Sequence, residues 1–325
     1  MTHHEKPATE TTVAVVGLGL LGRGIVACFL GHGFRVVGFG RSQQSHERAR
    51  EYIGRGLQEM VDYAGFDESI LTDWKSRYQE TDRYDNWGEC DLVVESIAED
   101  TAAKHEIYDQ IERFVGSTVP IASNTSSIPI SELQDGRGHP ERFLGMHWFE
   151  PAHATRFLEL VPGVETSSAT MEAAVQIAKR CGKEPSVLNK DLPGFIVNRM
   201  GYALYREALN LLEMGVADAE TIDRSFRNAI GVWSTVFGPF GWMDLTGGPK
   251  LYGACMERVL PTLSGRTELP NPIKQLTAED ALGVTNGHGF YEYTAEEARQ
   301  ADELFHKHAW KARALMNHYF PISEV

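Results

Sequence analysis

Long apolar runs are missing from this 325-residue chain, and with them any stretch of the roughly 20 residues that a membrane-spanning helix needs. Cysteine is scarce. Cys28, Cys90, Cys181 and Cys255 sit far apart, with no CxxC pair and no zinc-like Cys/His spacing. That pattern fits reduced, buried thiols in a cytoplasmic protein. Positive charge is in deficit, 31 Lys and Arg against 45 Asp and Glu, for a formal net charge of −14. With no basic stripe in the sequence, nucleic acid is not expected as a partner. The opening MTHHEKPATETT lacks an apolar core segment and reads as a loose tail, not a signal peptide. Of three histidines near the carboxyl end, His306 and His308 fall on different helix faces, so no metal site is expected. Internal repeats and low-complexity tracts are absent too.

What remains is a globular composition, 42% hydrophobic and 23% charged, long enough for two domains. The segment TVAVVGLGLLGRGIVACFLGHG begins with the β-branched run Val13–Val16, breaks at Gly17, and continues as an apolar helix from Leu20 to Leu30. Gly17, Gly19 and Gly22 form G-x-G-x-x-G between strand and helix, with a second strand, Arg35 to Phe39, at the right distance. In that context the glycines predict a dinucleotide site. Gly17 permits the turn, Gly19 lets backbone approach a pyrophosphate, and Gly22 lets helix and strand pack closely. The helix start at Leu20 and Leu21 would offer its free N–H groups to the phosphates.

An acid is expected about 20 residues later, where NAD presents its adenosine ribose. This chain has Gly40, Arg41 and Ser42 there. Glycine leaves room for a 2′-phosphate, the guanidinium can pair with it in a fork, and the serine hydroxyl can add a donor. NADP is therefore expected in preference to NAD.

A helix from Gln43 to Ala64, a strand in DLVVES, a helix from about Ala102 to Val115 and a strand from Val119 to Ser123 follow. The alternation predicts a Rossmann-type, doubly wound parallel α/β sheet over residues 12–192, and an all-α domain over 193–325. Ligands in such sheets lie beyond the carboxyl ends of the strands, which brings Glu95–Glu99 and Asn124–Ser127 to the same edge as the glycine loop. Strand Phe143–Trp148 is followed by a break at Glu150-Pro151-Ala152 and a return strand, Arg156–Val161. If they form a hairpin centred near His153, His147 faces Glu159, with Cβ atoms about 5 Å apart. Such a carboxylate would fix the imidazole tautomer and stabilise the imidazolium, as oxidation of an alcohol by proton and hydride removal requires. The alternative is a core histidine satisfied by a nearby acid.

From Val13 to about Tyr293 the chain resembles the 3-hydroxyacyl-CoA dehydrogenase family. The likeness is carried by GLGLLGRGI, DLVVESIAED, SNTSSIPI, ERFLGMHWFEP, FLELV, DLPGFIVNR, GPFGWMDLTG and GHGFYEY. The resemblance implies a nucleotide-binding domain, a helical domain that makes a homodimer, and an active site in the cleft between the two domains. It implies His147 as catalytic base and Glu159 as its partner. Ser126 and Asn198 would bond the reacting oxygen, and Glu99 and Lys104 would contact the cofactor. Its substrate would be a 3-hydroxyacyl group, on CoA in first place. Departures from the pattern are informative. Glu150 replaces an asparagine beside the nicotinamide, and Thr285 stands where a lysine is usual. Where the family has basic residues for CoA phosphates, Gly56 to Asp85 holds eight acids (Glu59, Asp62, Asp67, Glu68, Asp73, Glu80, Asp82, Asp85) against Lys75, Arg77 and Arg83. Relatives that oxidise free hydroxy acids such as gulonate or carnitine, and a non-catalytic crystallin-like dinucleotide binder, are the alternatives. Trp233, Phe237, Phe240 and Trp242 crowd one helical stretch, which reads as ordinary core before cleft or interface.

Overall fold

The computed structural model describes residues 6–322. It divides into two compact units, one running through Ile196 and one from Val197 to Pro321. The first is built on strands β1 (Thr12–Val16), β2 (Arg35–Phe39), β3 (Tyr78–Thr81), β4 (Leu92–Glu95), β5 (Ile121–Ser123), β6 (Phe143–His147), β7 (Phe157–Pro162) and β8 (Glu184–Val187). They form one sheet in the order β3-β2-β1-β4-β5-β6-β7-β8. The first six run parallel, β7 turns back against β6, and β8 runs parallel to β7. Helices α1 (Leu20–Gly31), α2 (Gln43–Ala64), α3 (Ile70–Arg77), α4 (Thr101–Phe114), α5 (Ile130–Gln134) and α6 (Ser168–Arg180) make the connections. The central strands are buried throughout apart from Thr12 and Arg35 at their starts, as expected of a sheet covered on both faces.

Local chemistry sets the ends of the helices. Ser42 caps α2 by accepting from Ser45 N at 3.2 Å, and Gly65, at φ 70°, ends it. Asp100 caps α4 by accepting from Ala103 N at 2.8 Å. The start of α1 is different, because Gly19 offers no side-chain cap and the first N–H groups stay available.

The second unit comprises α7 (Val197–Glu213), α8 (Ala219–Asn228), α9 (Ile230–Trp233), α10 (Pro239–Leu245), α11 (Gly248–Val259), α12 (Asn271–Ala278) and α13 (Ala295–Tyr319). Thr294 and Glu297 form a reciprocal capping box at the start of α13, which stabilises two orphan N–H groups at once. No residue from 197 to 293 is buried.

Three expectations need correction. The amino-terminal segment is not loose over its described part. Lys6 pairs with Asp91 at 2.6 Å, Ala8–Glu10 forms a 3₁₀ turn, and Arg180 donates to Lys6 O and to Thr11 Oγ1. Residues 1–5 lie outside the described residues. Buried thiols hold for Cys28, Cys90 and Cys181, whereas Cys255 is exposed because α11 has no buried position. Nor are the four aromatics core. Trp233 and Trp242 stack at 5.2 Å, but Phe240 is 78% exposed.

Candidate active site

A cavity of about 970 Å³ opens at the carboxyl ends of the first strands of the sheet. Gly17, Gly19, Leu20 and Leu21 line it, as do Gly40, Arg41, Ser42, Glu99 and Ser126. A nicotinamide dinucleotide can be tested against these residues. Gly17 has φ +103°, and a Cβ there would meet Ser96 O at 2.4 Å. At Gly22 a Cβ would meet Gly17 O at 1.9 Å, so helix and strand can touch only through glycine. Around Gly19 a Cβ would find open space within 4 Å. Packing within the protein therefore does not exclude a side chain there, and close approach of a phosphate to the uncapped start of α1 does. The residues fit the group.

At the far end of this cavity, a side chain at Gly40, where other dinucleotide sites carry an acid, would have to displace its neighbours. A Cβ would come within 2.5 Å of Ser45 Oγ. Arg41 is exposed and makes no hydrogen bond or ion pair among the described residues. The Ser42 hydroxyl accepts from Ser45 N and keeps its own proton to donate. Tyr84 stacks on Phe39, with ring centroids 5.0 Å apart, and forms the adjacent wall.

The turn after β5 forms another part of the lining. Glu99 Oε1 accepts from Thr125 Oγ1 at 2.7 Å, from Ser126 N and Ser127 N at 2.9 Å each, and from Ser127 Oγ at 2.9 Å. Partial burial alone would raise the Glu99 carboxyl. The hydrogen bonds from Thr125 and Ser127, the Lys104 charge and the Ser126 N–H outweigh it, and the carboxyl is held at about 2. Lys104 does not line the cavity. Its ammonium is fully buried, 2.7 Å from Glu95 Oε1 and 3.6 Å from Glu99 Oε2. Glu99, its partner at 3.6 Å, is the group that faces the cavity. Glu95, which the sequence placed at this edge without giving it a role, also accepts from Tyr108 Oη at 2.8 Å and Ser123 Oγ at 2.7 Å. A carboxylate closing a buried strand was the signal for it.

Register places the imidazole. β6 and β7 pair antiparallel with His147 directly opposite Glu159, and Nδ1 lies 2.7 Å from Glu159 Oε2. A carboxylate accepts, so Nδ1–H donates and Nε2 is left with its lone pair. The other oxygen, Oε1, accepts from Ile196 N at 3.0 Å. That N–H is aimed by an unusual turn in which Gly194 and Phe195 both have positive φ, 79° and 48°. For a bulky residue such as phenylalanine this conformation is strained, and strain of this kind collects at functional sites. The Phe157 and Phe195 rings pack against the imidazole with centroids 5.9 and 5.6 Å away. Next to it, Trp148 N donates to Asn124 Oδ1 at 2.9 Å, which ties the Ser126 turn to the end of β6.

Glu150 follows at once, in a cis peptide bond to Pro151. Its carboxylate accepts from Tyr52 Oη of α2 and does not line the cofactor cavity described here. Asn198 lies in the first turn of α7, in the second unit. Two residues beside the Glu150-Pro151 turn escaped the sequence reading. Arg23 is the sole charge in α1, a signal that was available, and Lys183 is a lysine with no exposed surface.

Comparison with known proteins gives the following. Residues 12–192 match the family model described as 3-hydroxyacyl-CoA dehydrogenase, NAD binding domain, and residues 194–293 match the 3-hydroxyacyl-CoA dehydrogenase C-terminal domain. The chain is 32% identical over 287 residues to 5-formyl-3-hydroxy-2-methylpyridine 4-carboxylate 5-dehydrogenase of Mesorhizobium japonicum, covering 88% of this chain and 92% of that one. A crystal structure of a dehydrogenase of this name, described as an NAD+ dependent dismutase, superposes with TM-score 0.87 at 30% identity, over 94% of this chain and 98% of the other. The (S)-3-hydroxybutyryl-CoA dehydrogenase of Ralstonia eutropha superposes with TM-score 0.71 at 31% identity, over 87% and 99%.

Proposed function

The chain belongs to the 3-hydroxyacyl-CoA dehydrogenase family, and from that premise we propose that it oxidises a secondary alcohol on a small free acid, reversibly, with His147 as acid–base group. The observation that carries the reading is the His147–Glu159 pair at the carboxyl end of β6. A nicotinamide dinucleotide bound against α1 would take up the hydride from the carbinol carbon. His147 Nε2 removes the hydroxyl proton, and Glu159 holds the ring tautomer and stabilises the imidazolium that results. Ser126, which lines the cofactor cavity, would hold the reacting oxygen.

The sequence put acyl-CoA first and free acids second. Our reading puts the free acid first, and the surface of the first unit supports it. Asp62, Asp67, Glu68, Asp73, Asp82 and Asp85 are all exposed, while Arg77 is spent on Leu30 O and Arg83 on Asp85. The diphosphate and 3′-phosphate of a CoA handle would meet repulsion there. Similarity to an enzyme named for a pyridine carboxylate points the same way. Arg41, Ser42 and Gly40 support NADP over NAD, and the apolar, unburied helices of the second unit support a homodimer.

The test is a turnover assay of the wild type and His147→Gln on 3-hydroxybutyrate and 3-hydroxybutyryl-CoA, each with NADP and NAD. The variant should bind NADPH as before and lose about 10²- to 10⁴-fold in kcat. Unchanged kcat overturns the assignment. In the same assay NADP should give the higher kcat/KM, and Arg41→Ala should erase the difference.

A further inference from the structure

Between the glycine loop and the turn after His147 lies a cation that the reaction outlined above does not use. Arg23 follows the last fingerprint glycine, and its N donates to Gly19 O at 3.1 Å. Its guanidinium lies over the ring of Tyr52, 4.9 Å from the centroid. Arg55 approaches the same ring at 5.0 Å, and the Tyr52 hydroxyl donates to Glu150. The backbones are close here too. A Cβ on Gly24 would meet Ala152 Cβ at 3.2 Å and Tyr52 Cε1 at 3.6 Å. Arg23, Tyr52 and the Glu150 turn therefore form one packed cluster.

The two arginines differ in charge balance. Arg55 has Glu59 one helical turn away at 3.8 Å. Arg23 has no acid within 4.0 Å among the described residues, and its Nε is shut off from water with no hydrogen-bond partner. A half-buried guanidinium with no acid beside it favours an anion, because its attraction is only partly screened and its terminal fork matches a carboxylate. Burial, and then the Glu150 charge, raise the Tyr52 hydroxyl well above its ordinary value. It remains a neutral donor and does not compete as an anion.

We propose that Arg23 recognises the carboxylate of the substrate and so selects free acids. The proposal rests on the free-acid reading above. Two residues separate His147 from Glu150, three Cα–Cα steps and at most roughly 11 Å of extended chain. The proposal places a short hydroxy acid between the two, its carboxylate toward the arginine and its hydroxyl toward His147. A neutral amide or a thioester offers no charge at this point, and selectivity follows from the difference.

The closing experiment compares wild type, Arg23→Met and Arg23→Lys on 3-hydroxybutyrate and 3-hydroxyhexanoate and on their amides. Binding of the same compounds to the enzyme–NADPH complex is followed by fluorescence. The wild type should favour each acid over its amide. Arg23→Met should raise KM for the acids about 30-fold, with the amides and the NADPH Kd shifted less than about twofold. Arg23→Lys, a point charge without the fork, should fall between. A wild type that binds acid and amide equally overturns the proposal, as does an acid preference that survives in Arg23→Met. A weakened NADPH Kd in Arg23→Met also overturns it, since the residue then serves the cofactor phosphates. Acid-selective binding that is lost in Arg23→Met, without turnover of any compound, leaves this proposal standing and removes the catalytic one.

Discussion

Glu99 shows how one carboxylate can hold a whole turn. Three consecutive residues, Thr125 to Ser127, donate to a single oxygen of it. Its carboxyl titrates at about 2, below its ordinary 4.5. The sign follows from which state takes up the proton first. The unfolded chain is protonated near 4.5 and the folded one only near 2, so falling pH favours unfolding across that window. The stabilisation is complete above about pH 4.5 and is lost as pH falls toward 2. Water screens a group this exposed, which reduces the contribution to about 1 kcal/mol. Glu99→Gln should therefore lower the urea midpoint at pH 7, and the gap between the two proteins should close as pH falls from 4.5 to 3. A gap that is constant with pH would show that the turn is held by packing instead.

The β6–β7 hairpin depends on a charge buried beneath its connection. The Lys183 ammonium donates to Ala152 O and Thr155 O and lies 5.0 Å from the centre of the Trp148 ring. Replacing it with methionine keeps the bulk and strands two carbonyls away from water, which costs about 2–4 kcal/mol. Lys183→Met should show that loss in denaturation. Its kcat should fall further than its KM rises, because the turn connects the strands that carry His147 and Glu159. An unchanged kcat in a destabilised protein would confine Lys183 to folding. Why the sequence revealed this hairpin and not its support is a question of periodicity. His147 and Glu159 sit in apolar strands with a clear break between them, so register alone pairs them. The central strands β1, β2 and β4 and the helices α1, α2 and α4 announce themselves by the same apolar patterning. The edge strands β3, Tyr-Gln-Glu-Thr, and β8, Glu-Pro-Ser-Val, are polar and carry no such pattern. Lys183, Glu95 and Arg23 acquire meaning only from residues far away in the chain. A one-dimensional pattern cannot supply those contacts.

The two units differ in how they are held together. The first buries continuous apolar strands under helices, with Trp87, Tyr108 and Phe29 fully enclosed. In the second, no position from 197 to 293 is buried, yet Tyr202, Tyr205, Leu245, Leu251 and Leu260 are each more than half exposed. Exposed apolar residues in such number are what an association face presents, and helices that bury no residue over 197–293 gain stability by packing on another surface. Under the homodimer proposed above, a second copy would cover these residues in a closed, two-fold pairing of identical faces. The net charge of −14 opposes association at long range, and salt screens it over about 10 Å. Light scattering at micromolar concentration should give twice the chain mass in 0.15 M salt. Tyr205→Lys combined with Leu251→Glu should give the single-chain mass and a lower melting temperature, since the helical unit then loses its cover. A wild type that stays at the single-chain mass, with the helical unit protected from proteolysis, would show that the face is covered within one chain.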